Sequence, residues 1–359
     1  MAPIKIGFVL VSNSQRPIPS TRISVLNMFP FLRAANFHPE IVFEPYEVTE
    51  KPAVSRLMSR LIAQNFKFIF FQKVHGPDVE QLARQLSAAG LRTVYGVCDQ
   101  VNASMAEATD ATVATSEYLK SMYPPALQSK ITVVHDGIER PEIFKTQWNL
   151  HRGSAYRPLH AVLVTSFHLD SLPVLCNPPG WLNVSIVGRY PRSDQLFQHF
   201  REAGWSLSQR RTWNERFAYL RFLTNPRIRC LAWDARGVYE TMRHADIGII
   251  PIDTQPAHKP PLPPPHWKIK SANRLTMKMC VGLPVVATPI PSYERVIEQG
   301  RNGFLAQSHE EWIAHLTRLR DPDYRRAIGS QARESVLEGY SKEKQAALLI
   351  KVLQDLGLD

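Results

Sequence analysis

Cysteine is scarce: Cys98, Cys176, Cys230 and Cys280 are the only four in 359 residues, and no two form a Cys-x-x-Cys pair. That spacing excludes a disulfide framework and a zinc ribbon, and the mostly apolar surroundings predict reduced core thiols in a cytoplasmic protein. Glycine is also thin, with 17 residues. The loop after the first apolar run contains no glycine, so neither a Gly-x-Gly-x-x-Gly fingerprint nor a Gly-Lys-Ser/Thr phosphate loop is present, which disfavours dinucleotide dehydrogenases and P-loop enzymes. No apolar run approaches the roughly 20 residues needed to cross a bilayer. The opening run at 6–11 is cut off by Ser12, Asn13 and Arg16, too early for a signal peptide. Lysine, finally, is missing between Arg189 and Arg243.

What is present suits a globular chain of two domains, with 44% hydrophobic and 21% charged residues. In the first part, strand patterns at 5–11, 40–43, 66–71, 93–97, 111–114 and 131–134 alternate with helical patterns at 20–35, 52–64 and 78–89. Continuous apolar strands separated by helices predict a parallel sheet covered on both faces. In such folds ligands sit at the carboxyl ends of the strands. By position alone this marks Lys73 and His75 after the third strand and Asp99 after the fourth as cleft residues, with His75 and Asp99 as catalytic candidates. Periodicity fades over 142–158, and strand patterns resume at 159–165, 184–187, 227–231 and 246–252. The predicted domains are 1–150, 151–339 and a final amphipathic helix over 340–359.

Residues 1–150 are nearly balanced, with 15 basic and 13 acidic side chains, so +9 of the net charge of +11 belongs to residues 151–359. It concentrates between Arg189 and Arg243, where eleven arginines face five acids. Trp205, Trp213, Phe217, Tyr219 and Phe222 are interleaved with them. Two readings stand open: peripheral contact with an anionic membrane at its inner face, or a solvated helical insert with internal ion pairs. Nucleic acid is not an expected partner.

The stretch 268–304 is the most informative. Ser271 is a candidate N-cap, Ala272, Leu275 and Met279 share a helical face, Gly282 suits a left-handed C-terminus, and Pro284 stops the helix before an apolar strand at 285–287. Lys268, Lys270 and Arg274 crowd the positive end of this helix, where cations are disfavoured unless an anion sits among them. Free N–H groups with two or three cations form a phosphate site.

Lys270-Ser271-x-Asn273-Arg274-Leu275, then Gly282-Leu283-Pro284-Val285-Val286-Ala287-Thr288, then Tyr293-Glu294-x-Val296-Ile297-x-x-Gly300-x-Asn302-Gly303-Phe304-Leu305 resembles the donor-binding segment of family 4 (group 1) glycosyltransferases. The likeness is strong from 246 to 307 and weak before 113. It implies an α/β fold of GT-B architecture, two Rossmann-like doubly wound domains facing a cleft. It also implies transfer of a sugar from a nucleotide-sugar to a glycan, lipid-linked or other acceptor, with retained configuration and no metal or cofactor. Asp321-x-Asp323 opens a helix and is set aside as a metal motif. The resemblance assigns donor binding to Lys268, Lys270, Ser271, Asn273 and Arg274, with Lys270 acting catalytically on the leaving diphosphate. It places Ser20 and Arg22 on the acceptor side, with Asn27 nearby, and Lys73 joins them by its position after the third strand. The family's two glutamates fall at Ile269 and Met277, so Asp253, after the strand at 246–252, is the expected ribose acceptor. The proline-rich run 256–267, with His258, Lys259, His266 and Pro-x-x-Pro spacing, is expected to form a stiff lid, with recognition by an SH3-type partner as the alternative. Two other classes remain: a catalytically silent GT-B module binding a nucleotide or glycan, and a nucleotide-sugar epimerase.

Overall fold

The computed structural model describes residues 2–192, 194–254 and 266–357. The chain divides into two compact units, one of Met1–Glu139, Pro260–Asn273 and Glu338–Asp359, the other of Arg140–Lys259 and Arg274–Leu337. Most of the proline-rich run, with His258 and Lys259, lies outside the described residues.

In the first unit the apolar runs become β1 (Ile4–Val9), β2 (Phe37–Phe43), β3 (Phe68–Gln72), β4 (Arg92–Val97), β5 (Ala111–Ala114) and β6 (Ile131–Val133). They form one parallel sheet in the order β2-β1-β3-β4-β5-β6. The two-residue period of a strand sends Phe70 to one face and Phe71 to the other. Val9, Phe71, Leu82 and Leu86 pack on one side; Ile6, Phe8 and Phe70 pack on the other, against Leu349, Val352 and Leu353 of the final helix Lys342–Gly357. Both faces are therefore dry, as a fully parallel sheet requires. The helix expected over 20–35 is interrupted, forming Pro19–Ser24, a 3₁₀ turn Leu26–Met28, and Phe29–Ala34. Pro30 lacks an N–H and fits only the first turn of a new helix.

The second unit repeats the plan with β7 (Leu159–Val164), β8 (Leu182–Gly188), β9 (Ile228–Ala232), β10 (Ile247–Ile250), β11 (Val285–Ala287) and β12 (Phe304–Leu305), in the order β12-β11-β10-β7-β8-β9. These strands also run parallel. The helix Asn273–Cys280 ends as its sequence demands: Gly282 takes φ +90°, and the Leu283 N–H reaches back to the Lys278 carbonyl at 3.1 Å. Its start is a correction, because Ser271 lies two residues before the first helical residue and its hydroxyl turns elsewhere. Between β8 and β9 run the helices Leu196–Ser208 and Trp213–Leu223, the second opened by a Thr212–Glu215 capping box.

All four cysteines are free, but only Cys280 is buried and Cys176 is exposed. The expectation of uniform core thiols fails because Cys176 belongs to the non-regular run between β7 and β8. No helix among the described residues is long and apolar enough to cross a membrane.

Candidate functional site

In the first unit the polar groups gather where the parallel strands end. Lys73 follows β3 directly, with φ +58° and its N–H bonded to the Gly96 carbonyl at 2.8 Å. A non-glycine residue held in this region costs on the order of 1 kcal/mol and marks a position fixed by its surroundings. The geometry aims its ammonium at Asp99, which follows β4: Nζ lies 2.6 Å from Oδ1. The other oxygen of Asp99 accepts from Lys270 Nζ at 3.2 Å. Glu50 adds a second carboxylate, 3.9 Å from Lys73 and 3.7 Å from His75 Nε2. Burial by itself would raise the Asp99 carboxyl, yet the ammonium groups of Lys73 and Lys270 hold it well below the usual range. Burial likewise opposes the charge on Lys73, but the neighbouring Cys98 and Asp99, with Glu50, outweigh it and hold the ammonium above its ordinary value. Asp99 is thus a fixed anion bracketed by two cations, not a carboxyl ready to exchange a proton near neutrality.

Beyond β6, the half-buried Asp136 accepts from Ser271 Oγ at 2.5 Å and from Ser24 Oγ at 3.4 Å. Burial pushes this carboxyl up, and the Ser271 hydrogen bond opposes the shift. Its neighbour His135 shares Nδ1 with the Thr115 carbonyl at 3.0 Å and lies against the Tyr340 ring. Ser20, Ser24, Gln72, Lys73, Thr115 and His135 line a cavity of about 30 Å³. That is room for one or two water molecules rather than a sugar ring. Of the acceptor-side candidates, Ser20 and Lys73 therefore share this cavity. Arg22 is engaged differently, giving Glu139 two hydrogen bonds at 2.7 and 3.0 Å, and Asn27 joins the same carboxylate at 3.1 Å.

In the second unit Arg274 occupies the first turn of the helix Asn273–Cys280 and donates to Ser166 Oγ at 3.4 Å, just past the end of β7. The Ile252 N–H bonds Thr288 Oγ1 at 2.9 Å, joining the loop after β10 to the end of β11. Asp253 lies exposed in that loop. Lys278 is fully buried; its ammonium donates to the Arg274 carbonyl at 3.1 Å, and burial together with Arg274 pushes its pKa down to about 7.

Lys268 stands 5.2 Å from the Trp267 ring centre, and Asn273 is half-buried at the start of the helix. Ile269 packs in the core of the first unit, only 3% exposed. Met277, 9% exposed, packs with Val162, Val164, Val187 and Val281 in the second. These two positions have become core, so they offer no polar surface to a ligand. No cluster of three or more metal-ligating side chains occurs among the described residues. Sequence reasoning missed Glu50, Asp136 and His135. Asp136 carried a signal, an acid followed by glycine at a strand end, whereas Glu50 lies in an irregular stretch with no periodicity to mark it.

A glycosyl transferase family 4 model matches residues 23–142, and a glycosyl transferase-like model matches 179–351. No curated protein matches the sequence. Among solved structures, the chain is similar to Anabaena HepE in complex with UDP and glucose, with TM-score 0.66 at 14% identity, covering 98% of this chain and 100% of that one. It is also similar to a glycosyltransferase from Rickettsia africae, with TM-score 0.68 at 11% identity and 99% of each chain covered. Sucrose-phosphate synthase from Thermosynechococcus elongatus gives TM-score 0.66 at 14% identity, again over 99% of each chain. With both its units matched and two parallel sheets of this topology, the chain is a glycosyltransferase of the GT-B fold.

Proposed function

We propose that the protein transfers a glycosyl group from a nucleoside diphosphate sugar to an acceptor, with retention of configuration and without a metal ion. The observation that carries this reading is Arg274, a guanidinium in the first turn of a helix beside the carboxyl end of β7, with the neutral Ser166 hydroxyl as its hydrogen-bond partner. A cation in that position gains from an incoming anion both by direct charge pairing and by relief of its repulsion from the helix dipole. Lys270, four positions earlier, adds a second charge, and Ser271 and Asn273 shape the pocket. Their work is to stabilise the negative charge that develops on the departing diphosphate, the main catalytic contribution this chemistry needs.

Asp99 and Lys73 position Lys270 rather than exchange protons, since their mutual charges hold both groups ionised. His75, beside Glu50, and Ser20 serve the acceptor side with Lys73. Arg22 supports that wall through Glu139. Asp253 takes the ribose hydroxyls, because the positions of the family's glutamates are apolar here. HepE was crystallised with UDP-glucose, so uridine diphosphate sugars are the first donors to test.

The test is a thermal-shift panel of nucleotide-sugars, followed by nuclear magnetic resonance of the product anomer with and without a chelator. A donor that raises the melting temperature and is turned over to a product of unchanged anomeric configuration, chelator or not, supports the reading. Inversion, chelator sensitivity, or epimerised sugar in place of transfer overturns the corresponding part.

A further inference from the structure

The two helices between β8 and β9 bury little of their apolar surface. On Leu196–Ser208 the exposed stripe runs through Phe197, Phe200, Arg201 and Trp205, with Phe200 and Arg201 three and four residues after Phe197 and Trp205 four after Arg201. On Trp213–Leu223 it runs through Trp213, Phe217, Leu220 and Arg221. Phe197 is 82% exposed, Phe200 77%, Trp213 72%, Trp205 66% and Phe217 63%, while Tyr219 and Phe222 turn inward at 2% and 7%. Five large aromatic side chains in water on adjoining helices form a patch that a folded surface seldom tolerates without a partner.

The charges around this patch identify the partner. Several acids of the segment serve local structure: Glu215 caps its helix through Thr212, Asp234 receives the N–H groups of Arg236 and Gly237, and Glu240 pairs with Arg243 at 2.6 Å. Arg210 pairs with Asp170. Arg192, Arg201, Arg211 and Arg221 stand exposed around the aromatic stripes. A second copy of the chain would set these arginines against one another. A surface that is apolar in its plane and anionic at its boundary matches both features.

We propose that the helices Leu196–Ser208 and Trp213–Leu223 form a docking face for an anionic lipid bilayer, with the aromatic side chains entering the interface and the arginines meeting headgroup phosphates. Tryptophan and arginine suit that depth, one by its amphipathic ring and the other by its forked donors. An open groove between the helices, lined by Leu207, Ser208, Trp213, Arg216, Phe217 and Leu220, continues the apolar surface. This face is independent of the donor reading: it would hold for any acceptor presented at a membrane.

The experiment is co-sedimentation of the full chain with vesicles of phosphatidylcholine alone and of phosphatidylcholine mixed with phosphatidylglycerol, at low and physiological salt. Binding should require the acidic lipid and weaken with salt. Arg201→Gln with Arg221→Gln should lower the partition coefficient by about tenfold or more, given the attraction of each basic side chain to an anionic leaflet. Phe200→Ser with Trp213→Ser should reduce it comparably while leaving the melting temperature unchanged, since both side chains face water. If that pair instead lowers the melting temperature, the arginine pair and the salt dependence decide. The proposal is overturned by absent binding, by equal binding to neutral and acidic vesicles, by arginine variants that bind like the parent, or by a dimer that the aromatic substitutions dissociate.

Discussion

Lys73 Nζ stands 2.6 Å from Asp99 Oδ1, an ion pair that joins the ends of two neighbouring strands and leaves the second carboxylate oxygen to Lys270. The pair places one anion between two cations, and its removal has two separable consequences.

Asp99→Asn should destabilise the fold by roughly 2 kcal/mol. This is less than the 3–5 kcal/mol of a fully buried broken pair, because the Asp99 side chain is 28% exposed. Asp99 is depressed in the folded state, so its contribution is fully present above the unfolded value near pH 4 and fades as pH falls from there toward the folded value. Urea unfolding should therefore show the full difference from the parent between pH 5 and 8 and a shrinking one below about pH 4. A difference that grew on acidification would contradict this account.

Lys270→Ala should weaken nucleotide-sugar binding by about 1.5–3 kcal/mol, the loss of one charge-assisted hydrogen bond, with little effect on stability because Lys73 still neutralises Asp99. Calorimetric titration checks it. Unchanged affinity in a folded variant would remove Lys270 from the phosphate site.

Met277→Glu tests whether the family's carboxylate fits this chain. The side chain lies among Val162, Val164, Val187 and Val281, so a carboxylate there should cost at least about 1–3 kcal/mol rather than create a ribose contact. Burial raises the new carboxyl's pKa in the folded state, so the loss should be larger at pH 7 than at pH 4. Parental stability at pH 7, or tighter donor binding, would mean that the apolar cluster opens to the ligand.

Lys278→Met should stabilise the protein. The folded pKa of about 7 lies below the unfolded value near 10.4, so the penalty for burying the charge is complete below pH 7. It diminishes as pH rises, because the folded state has then already released the proton. The gain in melting temperature should be largest at pH 6 and decline steadily toward pH 10. A pH-independent gain would point to packing alone.

Much of the architecture was legible in the sequence because its causes are local. Ile69, Phe70 and Phe71 form a strand buried on both faces because an uninterrupted apolar run has no wet side to offer. Gly282 ends its helix because only glycine takes φ +90° without strain. Pro30, equally visible, interrupts a helix whose apolar spacing alone suggested continuity. Charge patterning located the arginine-rich helices, and the phosphate site proposed above starts from cations crowding a helix start.

Tertiary structure decided what depends on distance across the chain. Ser271 and Asp136 lie 135 positions apart and meet at 2.5 Å; nothing in either neighbourhood specifies that encounter. Ile269 and Met277 could be read as lost ligands until packing made them core. Phe217 and Phe222 share one helix, but only the fold says that the first meets solvent and the second the sheet. Periodicity in the sequence determines which residues share a face, and the burial of that face is settled by what the rest of the chain brings against it.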